Sequence, residues 1–415
     1  MKVDRSAIRK VLQRVRNTRA YSWALSTSDL AVLQLSVRRR RPIRGSQVGS
    51  RRSIILAPTG HGNIGDQAMV EALIDLLDGP ILVITNGEGA LAQPLSYEKH
   101  VTVVPIPGLV DGLPVVRARA VGQFVEALKE ADDFFVIGAD SMDGLYNTSS
   151  SLSRVNLLSL ASKMGVQSTA VGFSWSDNAK EVVVERLRSL PADVRLCVRD
   201  PLSVERLQAS GVPVIPSADI VFTHSRRQVT AKEDAWAKDT DSPVAVINAS
   251  GLIHKTTDLT EDYLAVVRHV LDLGFKVVLL PHVIRTTDDD LAVLESIAGE
   301  LNDPRVLLVE SLLRPAQVAA ILEHASLIVT GRMHLAILGL SQGIAPITLS
   351  TQGKVEGLYK LFKLDDFSIS PARNWSTIAI PLIDKLVANM GMHRFHINDE
   401  LARIRDAALV STTNR

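Results

Sequence analysis

From residue 53 onward the chain is written in short, unbroken apolar runs separated by amphipathic stretches. Ser53–Ala57, Ile81–Ile84, Val101–Val104, Phe134–Ile137, Ser168–Val171 and Arg195–Val198 predict strands. Continuous apolar runs, without polar alternation, mark strands buried on both faces, as in a parallel sheet. Between them, Asp66–Leu77 carries Ala68, Ala72, Leu73, Leu76 and Leu77 at helical spacing. Further helices are predicted around Ala118–Glu130, Ser153–Met164 and Pro201–Ala209. Alternating strand and helix predict a doubly wound α/β domain.

The polar stretch 224–242 interrupts this rhythm and reads as a linker. The pattern then restarts with strands at Val244–Ile247, Lys276–Leu280, Val306–Val309, Leu327–Val329 and Ala345–Thr348. Helices around Asp262–Leu273, Asp289–Leu301, Pro315–His324 and His334–Ser341 lie between them. The expected organisation is a basic extension over 1–52, a Rossmann-like domain over 53–223, the linker, a second Rossmann-like domain over 243–375, and a helical segment over 376–415. By fold analogy the last segment is expected to pack back across the first domain.

Open parallel sheets bind ligands beyond the carboxyl ends of their strands. In the first half those ends carry Gly62-Asn63-Ile64-Gly65-Asp66, the run from Gly138 to Gly144 with Asp140 and Asp143, and Arg199-Asp200. In the second they carry Asn248, His282 with Arg285, Gly331-Arg332-Met333-His334, and Lys354 after Ser350-Thr351. Two such edges facing each other would form a cleft, and their cations suit a phosphate or carboxylate ligand. Arg332 supplies a fixed fork of donors, and His334 can move a proton near neutral pH. A salt bridge for Arg332 and a cap for His334 are the plain structural alternatives. Gly60–Gly65 matches a dinucleotide-binding glycine pattern by letter, yet no Gly-Lys-Ser/Thr follows, so it is not a P-loop. Its glycines admit a ligand close to the backbone, while Asp66 equally suits the first turn of a helix. No set of His, Asp and Glu has convincing metal-ligand spacing.

Composition narrows the classes. A chain of 415 residues with 46% hydrophobic and 22% charged content is long enough for two globular cores. Aromatic content of only 4% argues against reading nucleic acid by base stacking. The single cysteine, Cys197, lies in an apolar run and reads as a buried thiol; no internal disulfide is available. No apolar run reaches the roughly 18 residues of a membrane span, and no signal-peptide core is seen, so a cytoplasmic protein is expected. The net charge of +1 hides an asymmetry: residues 1–52 hold fourteen Lys/Arg against two Asp, which leaves about −11 for the rest. That segment is either a solvated leader or a contact for an anionic membrane surface at the inner face of the membrane.

Taken in order, Gly62–Asp66, Val198-Arg199-Asp200-Pro201-Leu202-Ser203, Ala218-Asp219, Leu280-Pro281-His282, Gly331–His334, and Gly343–Pro346 with Lys354–Leu358 resemble the motif series of the polysaccharide pyruvyl transferase family. The resemblance spans about Ser53 to Leu364. It implies a GT-B-like pair of Rossmann-type domains. It also implies transfer of a pyruvyl group from phosphoenolpyruvate, as co-substrate and with no other cofactor, to two hydroxyls of a free or lipid-linked sugar. On that basis His334, Arg332 and Asp66 are the expected catalytic residues. Arg199, Arg332, His282 and Lys354 are expected on the donor, and Asn63, Gly65, Asp140 and Asp143 on the acceptor. One departure stands out: many members have a glycine-rich run where this chain reads Gly138-Ala139-Asp140-Ser141-Met142-Asp143-Gly144. That suggests a subgroup with its own acceptor. Two other readings share the fold: a glycosyltransferase using a nucleotide sugar, and a non-catalytic glycan-binding protein.

Overall fold

The computed structural model describes residues 50–91, 100–238, 242–286, 288–350 and 354–413. All but the last three residues of the basic extension therefore lie outside the described part.

The first sheet is formed by β1 (Ser53–Leu56), β2 (Ile81–Thr85), β3 (Val101–Pro105), β4 (Asp133–Ala139), β5 (Gln167–Phe173), β6 (Arg195–Val198) and β7 (Ile215–Pro216). The strands are all parallel, in the order β3-β2-β1-β4-β5-β6-β7. β1 pairs on both sides, Ile54 opposite Leu82 and opposite Phe134. Its residues are buried throughout, which is why the run shows no alternation. Helices Pro114–Leu128 and Thr148–Lys163 supply much of the core, with Phe124 and Phe134 packed at 4.8 Å between ring centroids. Helix Pro201–Ala209 has the predicted bounds because Pro201 fixes its first turn and the Asp200 carboxylate caps Ser203 N–H.

The second sheet contains β8 (Val244–Asn248), β9 (Lys276–Leu279), β12 (Val306–Leu308), β13 (Ala325–Thr330), β14 (Pro346–Leu349) and β15 (Ser368–Ile369). Its order is β12-β9-β8-β13-β14-β15, again parallel. A small antiparallel hairpin of β10 (Ile284–Arg285) and β11 (Asp288–Asp289) follows β9. Strand order reverses between β1 and β4 in one sheet and between β8 and β13 in the other. These are the switch points where open sheets bind ligands. Among the described residues, no helix is long and apolar enough to cross a membrane.

The chain divides into two compact units, and the division corrects the sequence-based boundaries. Among the described residues, 61–72 belong to the second unit with those from 220 to 409, while 50–60, those from 73 to 219, and 410–413 form the first. The cause is hydrogen bonding: Ile64 N–H donates to the His282 carbonyl at 3.0 Å, and Ile284 N–H to Gly62 at 2.9 Å. The polar stretch 224–242 is not a bare linker. It holds helix Ala231–Lys238, Gln228 N–H donates to Ala316, and Asp234 meets His324 at 2.9 Å. Helices Ser376–Ala388 and Met390–Leu409 also belong to the second unit. Buried Asp262 accepts from Asn374 N–H and from Ser376 N–H and hydroxyl, fixing the start of the first of them.

Candidate active site

A dense polar cluster lies in the second unit, beyond the carboxyl ends of β8, β9 and β13. Each strand ends on a side chain that could do chemistry or hold one that does: Asn248, the Leu280–His282 turn, and Thr330 with Arg332. At its centre is Asp290, 0% exposed, the first residue of helix Asp290–Leu301. Asp289 caps that helix by accepting from Leu291 and Ala292 N–H, which leaves Asp290 free to turn inward. Its carboxylate accepts from Gly251 N–H (2.8 Å), Asn248 Nδ2 (2.9 Å), His282 N–H (3.1 Å), Val283 N–H (3.0 Å) and the Arg332 guanidinium. Burial would raise its pKa, but the Arg332 charge and these hydrogen bonds outweigh burial and hold the carboxyl below its ordinary range.

Arg332 is therefore engaged rather than open. All three of its nitrogens are bonded: Nε to Asp290 at 3.2 Å, Nη1 to Asp288 at 3.1 Å, and Nη2 to both carboxylates. Burial opposes its charge, yet Asp290 and Asp288 carry its pKa above the ordinary value. Arg332 thus follows the salt-bridge alternative. Its backbone caps helix Met333–Leu340, its carbonyl accepting Leu335 and Ala336 N–H, and the first turn of that helix presents His334.

His334 packs on Gly65. A Cβ at Gly65 would fall 2.7 Å from the His334 Cβ and 2.5 Å from its Cγ, so glycine is what admits the imidazole. The glycine turn is itself held in place. Asn63 Oδ1 accepts Gly65 N–H at 2.9 Å, and Asn63 bridges to Val283. Asp66 lies in the first turn of helix Ile64–Asp75. His282 is 1% exposed, and neither of its ring nitrogens has a hydrogen-bond partner among the described residues. Burial first, then the nearby His334, pushes its pKa down to about 3. It is a neutral imidazole at physiological pH, with both nitrogens unspent. The structure thus brings together Asn63, Gly65, His282, Arg332 and His334, with Asp66 on the adjoining helical turn.

Sequence reading missed Asp288 and Asp290. The signal was present as Asp288-Asp289-Asp290, but three acids at a helix start also read as caps and dipole partners. Arg285 belongs to the same cluster. It lies at the Gly62 turn, where its Cβ is 3.7 Å from a Cβ built on Gly62, and Nη2 reaches Asp288 at 3.1 Å. Lys354 opens helix Lys354–Phe362 and is 4% exposed.

The remaining candidates lie in the first unit. Arg199, after β6, is buried and donates to Ser174 Oγ (2.8 Å), Asp219 (2.8 Å) and Asp140. Burial opposes its charge, but Asp140 and Asp219 raise its pKa overall. Asp140, after β4, keeps its side chain 36% exposed while paired. Ser174 passes the network on to Asp200, and Asp200 to Ser203. Asp143 is buried; its carboxylate accepts Leu145 N–H at 3.1 Å and its carbonyl accepts Lys180 N–H, which shapes the loop. Cys197 is buried in β6, and burial pushes its thiol pKa up.

Comparison with known proteins adds a family and a fold. The family model described as polysaccharide pyruvyl transferase matches residues 63–353. No curated protein sequence matches the chain. Among solved structures, the Neisseria meningitidis UDP-GlcNAc 2-epimerase bound to UDP-GlcNAc superposes with a TM-score of 0.56 at 9% identity, covering 87% of this chain and 98% of that one. The Phytolacca americana UGT2 complexed with UDP-2fluoro-glucose and pterostilbene gives 0.52 at 13% identity, covering 89% and 97%. The UDP-GlcNAc 2-epimerase of Methanocaldococcus jannaschii gives 0.50 at 12%, covering 80% and 91%. At these identities the likeness is one of fold: two Rossmann-like units of the GT-B kind.

Proposed function

Because the chain belongs to the polysaccharide pyruvyl transferase family, we propose that it moves a pyruvyl group from phosphoenolpyruvate onto two hydroxyls of a sugar in an envelope glycan or its lipid-linked precursor. The observation that carries this reading is the pair His282 and His334 beside the Gly62–Asp66 turn. The reaction needs a proton at the methylene carbon of phosphoenolpyruvate and removal of protons from two sugar hydroxyls. Protonation of that carbon leaves an oxocarbenium-like centre at C2. One hydroxyl adds there, the C–O bond to phosphate breaks, and the second hydroxyl closes the ketal. Of the two hydroxyl protons, one balances the new methyl group and the other leaves with phosphate.

Two neighbouring imidazoles suit this traffic, since an imidazole can hold or pass a proton at a ring nitrogen. We assign His334 to the proton donated to the donor carbon and Asp66 to the acceptor's hydroxyl proton, while His282, a weak base with a pKa of about 3, offers its ring nitrogens as hydrogen-bond partners. Asp66 orients the acceptor, with Asn63 and Gly65 shaping the turn. Lys354 and Arg285 meet the donor's phosphate and carboxylate. Arg332 keeps the site's geometry through Asp288 and Asp290. In the first unit, Arg199 holds Asp140 at the carboxyl end of β4, and Asp143 shapes the loop that follows. The basic segment 1–52 supports action at the inner face of the membrane, where lipid-linked acceptors reside.

Incubation with phosphoenolpyruvate and a panel of free and lipid-linked sugars tests the reading. Acceptor-dependent release of inorganic phosphate is the expected result. Two of the structures named above, the Neisseria meningitidis epimerase and the Phytolacca americana UGT2, carry a bound UDP-sugar, so the same panel is run with UDP-sugars. Release of UDP with no use of phosphoenolpyruvate would make the chain a glycosyltransferase instead.

A further inference from the structure

We propose that Asp290 is the positioning residue of this site, a carboxylate that never touches substrate but sets both imidazoles. Three strand ends converge on it. It takes Asn248 Nδ2 and Gly251 N–H after β8, His282 and Val283 N–H after β9, and the Arg332 guanidinium after β13. Its own N–H donates back to the Val283 carbonyl at 2.9 Å, so the 282–283 segment is held from both directions.

The consequences run outward. With the His282 amide fixed, the His282 carbonyl is fixed as well, and that carbonyl receives Ile64 N–H. The next residue but one, Ile284, donates to Gly62. The turn that carries Gly65 is thereby seated on the segment that Asp290 holds, and Gly65 is the surface on which His334 packs. On the other side, Arg332 stands two residues before His334 at the start of its helix. One buried carboxylate thus governs where His282 sits and, by two routes, where His334 sits. A neutral acceptor could not do the same, because Arg332 brings a full positive charge that Asp288 alone would have to match.

The proposal rests on the pyruvyl-transfer reading only for its kinetic arm; a spectroscopic arm stands apart from it. The full chain is prepared with 15N-labelled histidine, wild type and Asp290→Asn, and the imidazole resonances are followed from pH 5 to 8. In the wild type His282 stays neutral throughout. The groups facing its ring are His334, Asp290 and Arg332. Loss of the Asp290 charge alone would favour the neutral ring still more, since the Arg332 cation would remain beside it. Loss of positioning does the opposite: the segment loosens, water reaches the ring, and His282 begins to titrate towards its ordinary value near 6.5. The expected outcome is that upward shift. In the kinetic arm kcat falls on the order of 100-fold while KM for phosphoenolpyruvate changes little.

Should Asp290→Asn not fold, Asn248→Ala removes one neutral donor and leaves the carboxylate charged. It is expected to give the same upward shift with smaller amplitude. A folded Asp290→Asn protein, or failing that Asn248→Ala, with wild-type His282 titration and wild-type kcat overturns the proposal. If His282 shifts but the wild type never consumes phosphoenolpyruvate, the positioning role stands and the pyruvyl-transfer reading fails.

Discussion

Replacing Gly65 with alanine should separate activity from stability. Gly65 is buried in the first turn of helix Ile64–Asp75, with its amide bonded to Asn63. No left-handed backbone angle is involved, so alanine fits the backbone. The added methyl would instead lie 2.5 Å from His334 Cγ. Carbon atoms settle at about 3.5–4.0 Å, and the His334 Cβ is itself only 2.7 Å away, so the imidazole must move together with the start of helix Met333–Leu340 by roughly 1 Å. A displacement of about 1 Å at a reacting group lowers rate on the order of 100-fold. Stability should change much less: crowding costs about 1–3 kcal/mol, and the better helix propensity of alanine returns up to about 1 kcal/mol. Gly62→Ala is the contrasting control. Gly62 has φ +65°, and its Cβ would strike the Ile284 carbonyl, which is backbone and cannot step aside. It should lose stability first. The assay is phosphate release from phosphoenolpyruvate, read as kcat, beside urea unfolding of each variant. A Gly65→Ala protein with wild-type kcat would refute the contact on which the His334 assignment rests.

Other outcomes follow from the same contacts. His282, with a folded pKa of about 3, is neutral where the unfolded chain, at about 6.5, is protonated. The unfolded state binds more protons between those values, so stability is lost as pH falls through that window, by up to about 1.4 kcal/mol per unit. Urea unfolding at pH 7 and pH 5 should show the wild type losing on the order of 2 kcal/mol that His282→Leu does not lose; equal losses would argue against a buried neutral imidazole. Arg199→Met leaves Asp219, whose side chain is 2% exposed, without its cation and should destabilise by about 3–5 kcal/mol in chemical unfolding; a change below 1 kcal/mol would show the network to be slack. Cys197 should resist iodoacetamide at pH 8 until denaturant is added, since burial holds its thiol protonated; labelling of the native chain would contradict that burial.

Much of the fold was legible because burial on both faces leaves a plain mark. Ser53–Leu56 and Val244–Asn248 are apolar runs, and both proved to be strands paired on each side. Helix Pro201–Ala209 was legible residue for residue because its cap and its proline are local chemistry. The division of the chain was not. Whether 61–72 joins the first or the second unit depends on bonds from Ile64 and Asn63 to residues more than 200 positions away, which no local pattern encodes. The site was half legible for the same reason. Gly331–His334 and Leu280–His282 announced themselves by falling at strand ends. That Arg332 is paired with two carboxylates required knowing which way Asp288 and Asp290 turn, and a run of three aspartates does not say.

The sharpest test of pyruvyl transfer is the reaction run in deuterium oxide with phosphoenolpyruvate and a sugar acceptor, the product examined by NMR. If the methylene carbon takes its proton from an imidazole that exchanges with solvent, the ketal methyl group carries one deuterium, phosphate appears in equal amount, and both signals vanish in His334→Ala. A product with no ketal methyl, or a glycoside formed only when a UDP-sugar is supplied, would contradict it.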